Sequence, residues 1–285
     1  MTLGRRLAFA ILCVGLVVGA GLFGAPLGLP SAPRWAITAG LMGVILLSAW
    51  NAGFDLIRAR SDLNGAGLTA AALLIAPVAL FSLMPGFGPP EFADHAHNAF
   101  RYGVLLVDAV AIFSGAMMIQ EVLVASGDRI YGRLAFTLFA AATPLYLLWS
   151  ALLLESHRAA LAGSPWASGS WNTWLMSFSD VLLFFGGLIT YVATALLALA
   201  FRRRRLIGSG VSWAFTLVVL ALAACLVLRG IDFPDPATVF AQGYTVPGWI
   251  AGIPAVPWIG PCILGLIVLR SIVRQSPATN ITSAA

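Results

Sequence analysis

Eight uninterrupted apolar runs constrain this chain more than any other feature of its sequence. Each run is long enough to cross the hydrocarbon core of a bilayer, which takes about 20 apolar residues in a helix. Inside lipid the backbone polar groups must be paired within the protein, which leaves helices or closed barrels. The runs lack the apolar–polar alternation of a barrel strand, so they indicate helices. The predicted spans are residues 7–24, 35–57, 67–84, 99–125, 131–154, 174–201, 211–229 and 248–272.

The composition agrees with this interpretation. Apolar residues make up 60% of the chain and charged residues only 9%, whereas a soluble domain carries about 25% charged residues. The sequence therefore predicts an all-α integral membrane protein, a bundle of eight transmembrane helices. Residues 1–285 form one polytopic transmembrane domain, and no stretch is left for a separate soluble domain.

The arginines predict the orientation of the bundle. All 16 basic residues are arginines, and if the spans alternate, twelve of them fall on one side of the membrane and four on the other. Such a bias marks the cytoplasmic side, so both termini are predicted to be cytoplasmic (N-in, C-in). The net charge of +5 then reflects topology, and no nucleic-acid partner is predicted. The minority set is Arg34, Arg101, Arg158 and Arg229.

The location follows from the same pattern. The absence of lysine and the abundance of Ala, Gly and Arg favour a bacterial protein, and hence the bacterial cytoplasmic (inner) membrane. An alternative for the first span is a cleaved signal peptide, because Arg5 and Arg6 precede an apolar run that ends in small residues. Cleavage would leave the other seven orientations unchanged.

The last span contains three prolines in its outer half, Pro254, Pro257 and Pro261. A proline removes a backbone donor and clashes with the preceding turn. Broken helices at membrane depth occur where the backbone lines a cavity or lies against protein. The prediction is a proline-broken outer half followed by a regular inner half from Cys262 to Ile272.

Two acids lie inside predicted spans. Asp108 is ten residues beyond Asn98, which is roughly 15 Å into the membrane, and an ionised carboxylate there costs at least about 2.5 kcal/mol. Arg101 is seven residues before Asp108 and therefore shares its face. Asp180 lies in the outer third of span 6. These residues are candidates for binding a substrate or a proton, and a structural hydrogen bond is the alternative.

Two further polar residues lie near inner span ends. Glu121 follows Asp108 in span 4 but points to a different face, about 220° away. Asn51 ends span 2 and lies four residues before Asp55, on the same helical face. Both are retained as candidate substrate- or proton-binding residues, with an ordinary interfacial role as the alternative.

The histidines are the candidate metal ligands. His95 and His97 precede span 4, and His157 follows span 5, so all three lie on the predicted outer side. Histidine and carboxylate are ligands that zinc and similar ions prefer. The His-x-His spacing is not specific, and solvated loop polarity explains it equally. A divalent metal at the outer face is therefore a possibility, and no other cofactor is predicted.

Three function classes remain open on the sequence. The first is binding or transport of a small or lipophilic molecule through an outward-facing cavity that contains the buried acids. The second is a membrane-embedded enzyme acting on a lipid or isoprenoid substrate. The third is a scaffold or assembly partner without chemistry, in which the acids join helices. The sequence does not decide whether the chain is an enzyme, and the lipid bilayer is its one certain partner.

Overall fold

The computed structural model describes residues 7–16, 31–52, 65–82, 94–128, 130–165, 170–229 and 257–275. Within these ranges all regular structure is helical and no strand occurs, which confirms the all-α prediction. The described helices are α1 Leu7–Leu16, α2 Ser31–Ala52, α3 Gly65–Ser82, α4 His95–Ala125, α5 Tyr131–Leu161, α6 Ser170–Arg203, α7 Ser209–Arg229 and α8 Ile259–Gln275.

Four of the described helices, α4 to α7, are long and apolar enough to cross a membrane. Large apolar side chains stand on their outward faces: Val107 is 58% exposed, Leu217 63% and Leu228 84%. Water would penalise this surface, whereas lipid tails solvate it. The structure therefore supports the prediction of a membrane protein, and it supports four spans by length and composition.

Helices that follow one another along the chain pack side by side. α4, α5, α6 and α7 each lie against the next, and α3 joins this row to α8 by contacting both α4 and α8. α2 contacts α3 and α8. The row bends around α8, so that the core lies between α8 and the inward faces of α3, α4, α5 and α6.

α8 is the most enclosed of the described helices. Eight of its apolar side chains are less than 8% exposed and are distributed around the helix; they are Ile259, Cys262, Ile263, Leu264, Leu266, Val268, Leu269 and Val273. A helix that is apolar on all sides is buried on all sides. Its regular part begins at Ile259, close to the expected Cys262, and Pro254 lies outside the described residues.

Two glycines allow α3 to pack closely between α4 and α8. A Cβ atom on Gly115 would lie 2.9 Å from Leu74 Cδ2, and one on Gly265 would lie 2.9 Å from Leu74 Cβ and 3.0 Å from the Ala71 carbonyl oxygen. Leu74 itself is fully buried. The absence of side chains at these two glycines therefore lets the three helix backbones approach closely, as small residues do in membrane bundles.

Three long helices end in the same hydrogen-bonded cap. α4 ends with Gly127 at φ 94° and α5 with Gly163 at φ 64°. Glycine is the usual residue here because a Cβ atom makes the left-handed conformation unfavourable by about 1 kcal/mol or more. α6 ends with the same pair of bonds, from Leu206 N to Phe201 O and from Arg205 N to Arg202 O, both 2.9 Å. Its left-handed residue, however, is Arg205, at φ 56°.

Candidate functional site

α4 carries a stripe of buried polar side chains in its N-terminal half. The helix begins after Asp94, whose side chain accepts a 2.7 Å hydrogen bond from the backbone N–H of His97 and so caps the first turn. Asn98, Arg101 and Asp108 follow, each no more than 5% exposed. They share a face with the apolar side chains that α4 buries against its neighbours. The predicted common face of Arg101 and Asp108 is therefore the interior face.

Asp108 is fully buried, at 0% exposure. Neither of its carboxylate oxygens accepts a hydrogen bond from any described residue. A buried polar atom without a partner costs about 1–3 kcal/mol, and more if it is charged. The described residues around Asp108 therefore do not supply the partners that would make a carboxyl group favourable at this position.

A narrow cleft lies at the centre of the bundle, between α4, α5, α6 and Trp258. The space that a water-sized sphere can occupy in it is about 10 Å³. Ala109, the residue after Asp108, forms part of its wall, and Trp258 at the start of α8 packs on the Tyr146 ring with centroids 5.0 Å apart. We call this space the mid-bundle cleft. Its lining residues are Ala109, Ile112, Phe139, Ala142, Thr143, Tyr146, Thr190 and Trp258.

Two hydroxyl groups in the mid-bundle cleft have hydrogen-bonding capacity to spare. The Tyr146 hydroxyl approaches Thr190 without reaching full hydrogen-bond geometry, and neither hydroxyl bonds to another described group. The Thr143 hydroxyl, by contrast, donates to the Phe139 carbonyl at 2.7 Å. The mid-bundle cleft therefore presents two unsatisfied hydroxyls at about the depth of Asp108.

Asp180 lies at a different depth from Asp108. Along the antiparallel pair α5–α6, Tyr146 lies beside Gly186 and the Ser156 hydroxyl bonds to Asn172 at 3.1 Å. This register sets the half-buried Asp180 across from about Ser150. Phe113 stacks on Phe136 and Tyr102 packs on Trp149, which sets Asp108 across from about Thr143. The two acids are thus separated by roughly 10 Å along the bundle.

The structure brings two of the three predicted metal ligands together. His95 Nδ1 and His157 Nδ1 are 2.9 Å apart, joining the start of α4 to the end of α5. One ring must donate and the other accept, so at least one of them is neutral. The Tyr102 ring stacks on His157 with centroids 5.6 Å apart and an angle of 8°, and Trp149 meets Tyr102 edge-on. We call His95 and His157 the histidine pair.

The remaining candidates lie apart from these groups. His97 forms a 2.8 Å ion pair with Asp94 on the surface. Glu121 is exposed near the far end of α4, and the Asn51 side chain donates to the Leu47 carbonyl of its own helix at 3.0 Å. Among the described residues, no group of three or more His, Cys, Asp and Glu side chains surrounds a common point. The three cysteines are free thiols.

Comparison with protein families, with characterised proteins and with solved structures finds no match to this chain. The residues of the site are therefore interpreted from their own geometry.

Sequence reasoning missed the hydroxyl groups of the mid-bundle cleft. Tyr146 and Thr190 are single polar residues in apolar runs, and nothing in their spacing distinguishes them from packing residues. One signal was present: Pro144 lies two residues before Tyr146, inside α5. A proline within a membrane helix frees a backbone carbonyl, and such positions often border polar cavities.

Proposed function

We propose that this chain is an eight-helix protein of the bacterial inner membrane, with both termini in the cytoplasm, that binds a small lipophilic molecule in the bundle interior. Four described helices long enough to span a bilayer support the membrane location. The distribution of arginines supports the orientation. In the fuller form of the proposal the bound molecule is transported, with Asp108 as its polar anchor.

The observation that carries this proposal is the isolated carboxyl group of Asp108. A side chain that is 0% exposed and accepts no described hydrogen bond contributes nothing favourable to folding. Intramembrane acids of this kind commonly serve substrate or proton binding. A ligand with a hydrogen-bond donor or a positive charge would supply the partner that Asp108 lacks, and Tyr146 and Thr190 would add two further polar contacts.

The size of the mid-bundle cleft restricts the ligand. Its free space of about 10 Å³ is about enough for one water molecule. We therefore propose that the cleft widens on binding and that the ligand has few heavy atoms. A small amine with an apolar body meets these requirements best.

Asp108→Asn is the decisive variant. In proteoliposomes that contain a trapped pH-sensitive dye, the wild-type protein is expected to couple addition of a small lipophilic amine to a change in internal pH. Asp108→Asn is expected to lose that change, because the amide neither binds a cation nor carries a proton. Glu121→Gln is the matched control, since it removes an exposed acid from the same helix. Equal responses of Asp108→Asn and the wild type would refute transport through Asp108.

A metal-dependent enzyme is the second candidate, and the histidine pair favours it. Two imidazole nitrogens bound at about 2.0 Å and at right angles on one metal lie about 2.8 Å apart, and the observed separation is 2.9 Å. Arg101 lies within electrostatic reach of His157 and opposes a divalent cation, so this function ranks second. Metal analysis of the purified protein checks it: His95→Ala and His157→Ala should lower the metal content, and His97→Ala should not.

A further inference from the structure

The end of α6 presents four consecutive arginines, Arg202 to Arg205. None of them forms an ion pair with a described carboxylate. The acid nearest to them in the adjoining α4–α5 turn is Asp128. It is buried, and it already accepts a 2.6 Å hydrogen bond from the Gly132 N–H.

Aromatic rings on two other helices hold the first two guanidinium groups. Arg202 lies over the Trp213 ring in the first turn or two of α7, 5.0 Å from its centroid. Arg203 lies over the ring of Tyr131, the first residue of α5, 4.6 Å from its centroid. A ring engages the face of a guanidinium and leaves the N–H groups on its edge free to donate. The two cations are therefore held in place with their donors available.

Arg204 lies against the turn that joins α4 to α5. Its Nη2 atom is 3.0 Å from the position that a Cβ atom would take on Gly127, so a side chain there would crowd the guanidinium. The Nε atom of Arg204 is buried and donates to no described group. The Arg204 guanidinium therefore lies between the α4–α5 turn and the α6–α7 turn, and it has unused hydrogen-bonding capacity.

Arg205 occupies the left-handed position at the end of α6, where α4 and α5 have a glycine. Its φ of 56° is left-handed, as are those of Gly127 and Gly163 at the ends of α4 and α5. A strained non-glycine residue persists only where its surroundings maintain it, and such strain clusters at binding sites. Arg205 therefore places a charged side chain at a position where glycine would remove the backbone strain.

We propose that Arg202 to Arg205 and the α4–α5 turn form a binding site for the phosphate group of an anionic phospholipid. Guanidinium groups bind phosphate oxygens through paired, charge-assisted hydrogen bonds. Exposed apolar side chains border the cluster and are suited to acyl chains: Ile130 is 57% exposed, Leu134 49% and Trp213 49%. The site needs only that this end of the bundle lies at a membrane surface, so it is independent of the proposed function.

Lipid titration of the purified full-length protein in detergent tests the site. Phosphatidylglycerol is expected to raise the melting temperature, phosphatidylcholine is not, and high salt should weaken the effect because the contacts are ionic. For Arg204→Gln and for Arg205→Gly the midpoint concentration of phosphatidylglycerol should rise roughly tenfold, as expected from the loss of one charge-assisted hydrogen bond. Arg158→Gln is the matched control, because it removes an exposed arginine from the opposite end of α5.

Arg205→Gly separates binding from folding. It relieves the left-handed backbone strain, so in the absence of lipid its melting temperature should equal or exceed that of the wild type. Equal stabilisation by both lipids, or an unchanged midpoint in both arginine variants, would overturn the proposal. Stabilisation by inorganic phosphate at the same concentrations as phosphatidylglycerol would also overturn it, because the cluster would then be a site for free phosphate.

Discussion

The carboxyl group of Asp108 bears on the choice between a binding role and a structural one. If it joined helices, a described donor would lie within hydrogen-bonding distance, and none does. A buried polar group without a partner destabilises the protein that contains it, and replacement by an apolar residue of similar size removes this penalty. Destabilising residues of this kind are typical of binding sites rather than of packing interfaces.

We predict that Asp108→Leu stabilises the protein by about 1–3 kcal/mol, the cost of an unsatisfied buried acceptor. Thermal or denaturant unfolding in detergent measures this change. Glu121→Leu is the comparison, because Glu121 is exposed on the same helix and its replacement relieves no such penalty. A loss of stability in Asp108→Leu would show that the carboxylate has a structural partner, and it would favour the scaffold hypothesis.

Asp94 gives the stability of α4 a dependence on pH. The backbone N–H of His97 donates to the Asp94 carboxylate and holds its pKa below the usual value. A depressed pKa in the folded state means that the stabilisation is present above the unfolded pKa of about 3.9 and is lost as the pH falls through the folded pKa.

We therefore predict that Asp94→Asn flattens the acid side of the stability profile. Asparagine still caps the helix but does not titrate. The difference in melting temperature between the wild type and Asp94→Asn should shrink as the pH falls from 5 to below about 4. A difference that stays constant down to pH 3 would contradict the assignment.

At the scale of helices, the contact between α3 and its two neighbours depends on the absence of two side chains. A methyl group on Gly265 would meet a backbone carbonyl, which cannot move aside, whereas one on Gly115 would meet the end of Leu74, which can rotate. Overpacking in a tight core costs about 1–3 kcal/mol. The two positions should therefore differ in their tolerance of alanine.

We predict that Gly265→Ala destabilises the protein by about 2 kcal/mol or more, and Gly115→Ala by less. Gly103→Ala is the matched control, because Gly103 also lies in α4 and no other residue lies within 4 Å of its Cβ position. There alanine should be neutral or stabilising by up to about 1 kcal/mol. The melting temperatures of the three variants show which substitution destabilises the protein most. Equal losses at all three positions would argue against the close packing of Leu74 on Gly115 and Gly265.

The sequence predicted the helices well and the site only in part. Apolar runs locate the ends of α4 to α7 within four residues, except that α5 continues seven residues beyond its predicted end. The agreement arises because the bilayer demands length and apolarity locally. The burial of Asp108 followed from its depth in span 4. The mid-bundle cleft could not be predicted, because its position depends on which faces of α4, α5 and α6 pack together. In helices that are apolar on all sides, the sequence pattern does not indicate which face packs inward. The histidine pair joins residues 62 positions apart, so only the packing of α4 on α5 reveals it.

At the scale of the whole molecule, the number and direction of the spans remain predictions. Residues that flank α1, α2, α3 and α8 lie outside the described ranges, and four described helices meet both the length and the apolarity of a span. The arginine bias is then the main guide to orientation.

We predict that a green fluorescent protein fused to the C-terminus is fluorescent in a bacterial host and that alkaline phosphatase fused there is inactive. Fusions after Pro90, in the loop before α4, should give the opposite result, because that loop is predicted to be extracytoplasmic. The same outcome at both positions would refute alternation of the spans.

The short caps at Gly127, Gly163 and Arg205 limit how this protein can change shape. Five residues, 126–130, connect α4 to α5, and five, 204–208, connect α6 to α7, so neither pair has slack for one helix to slide past its partner. Any opening movement must then keep α4 with α5 and α6 with α7, so that each of these two pairs moves as a unit.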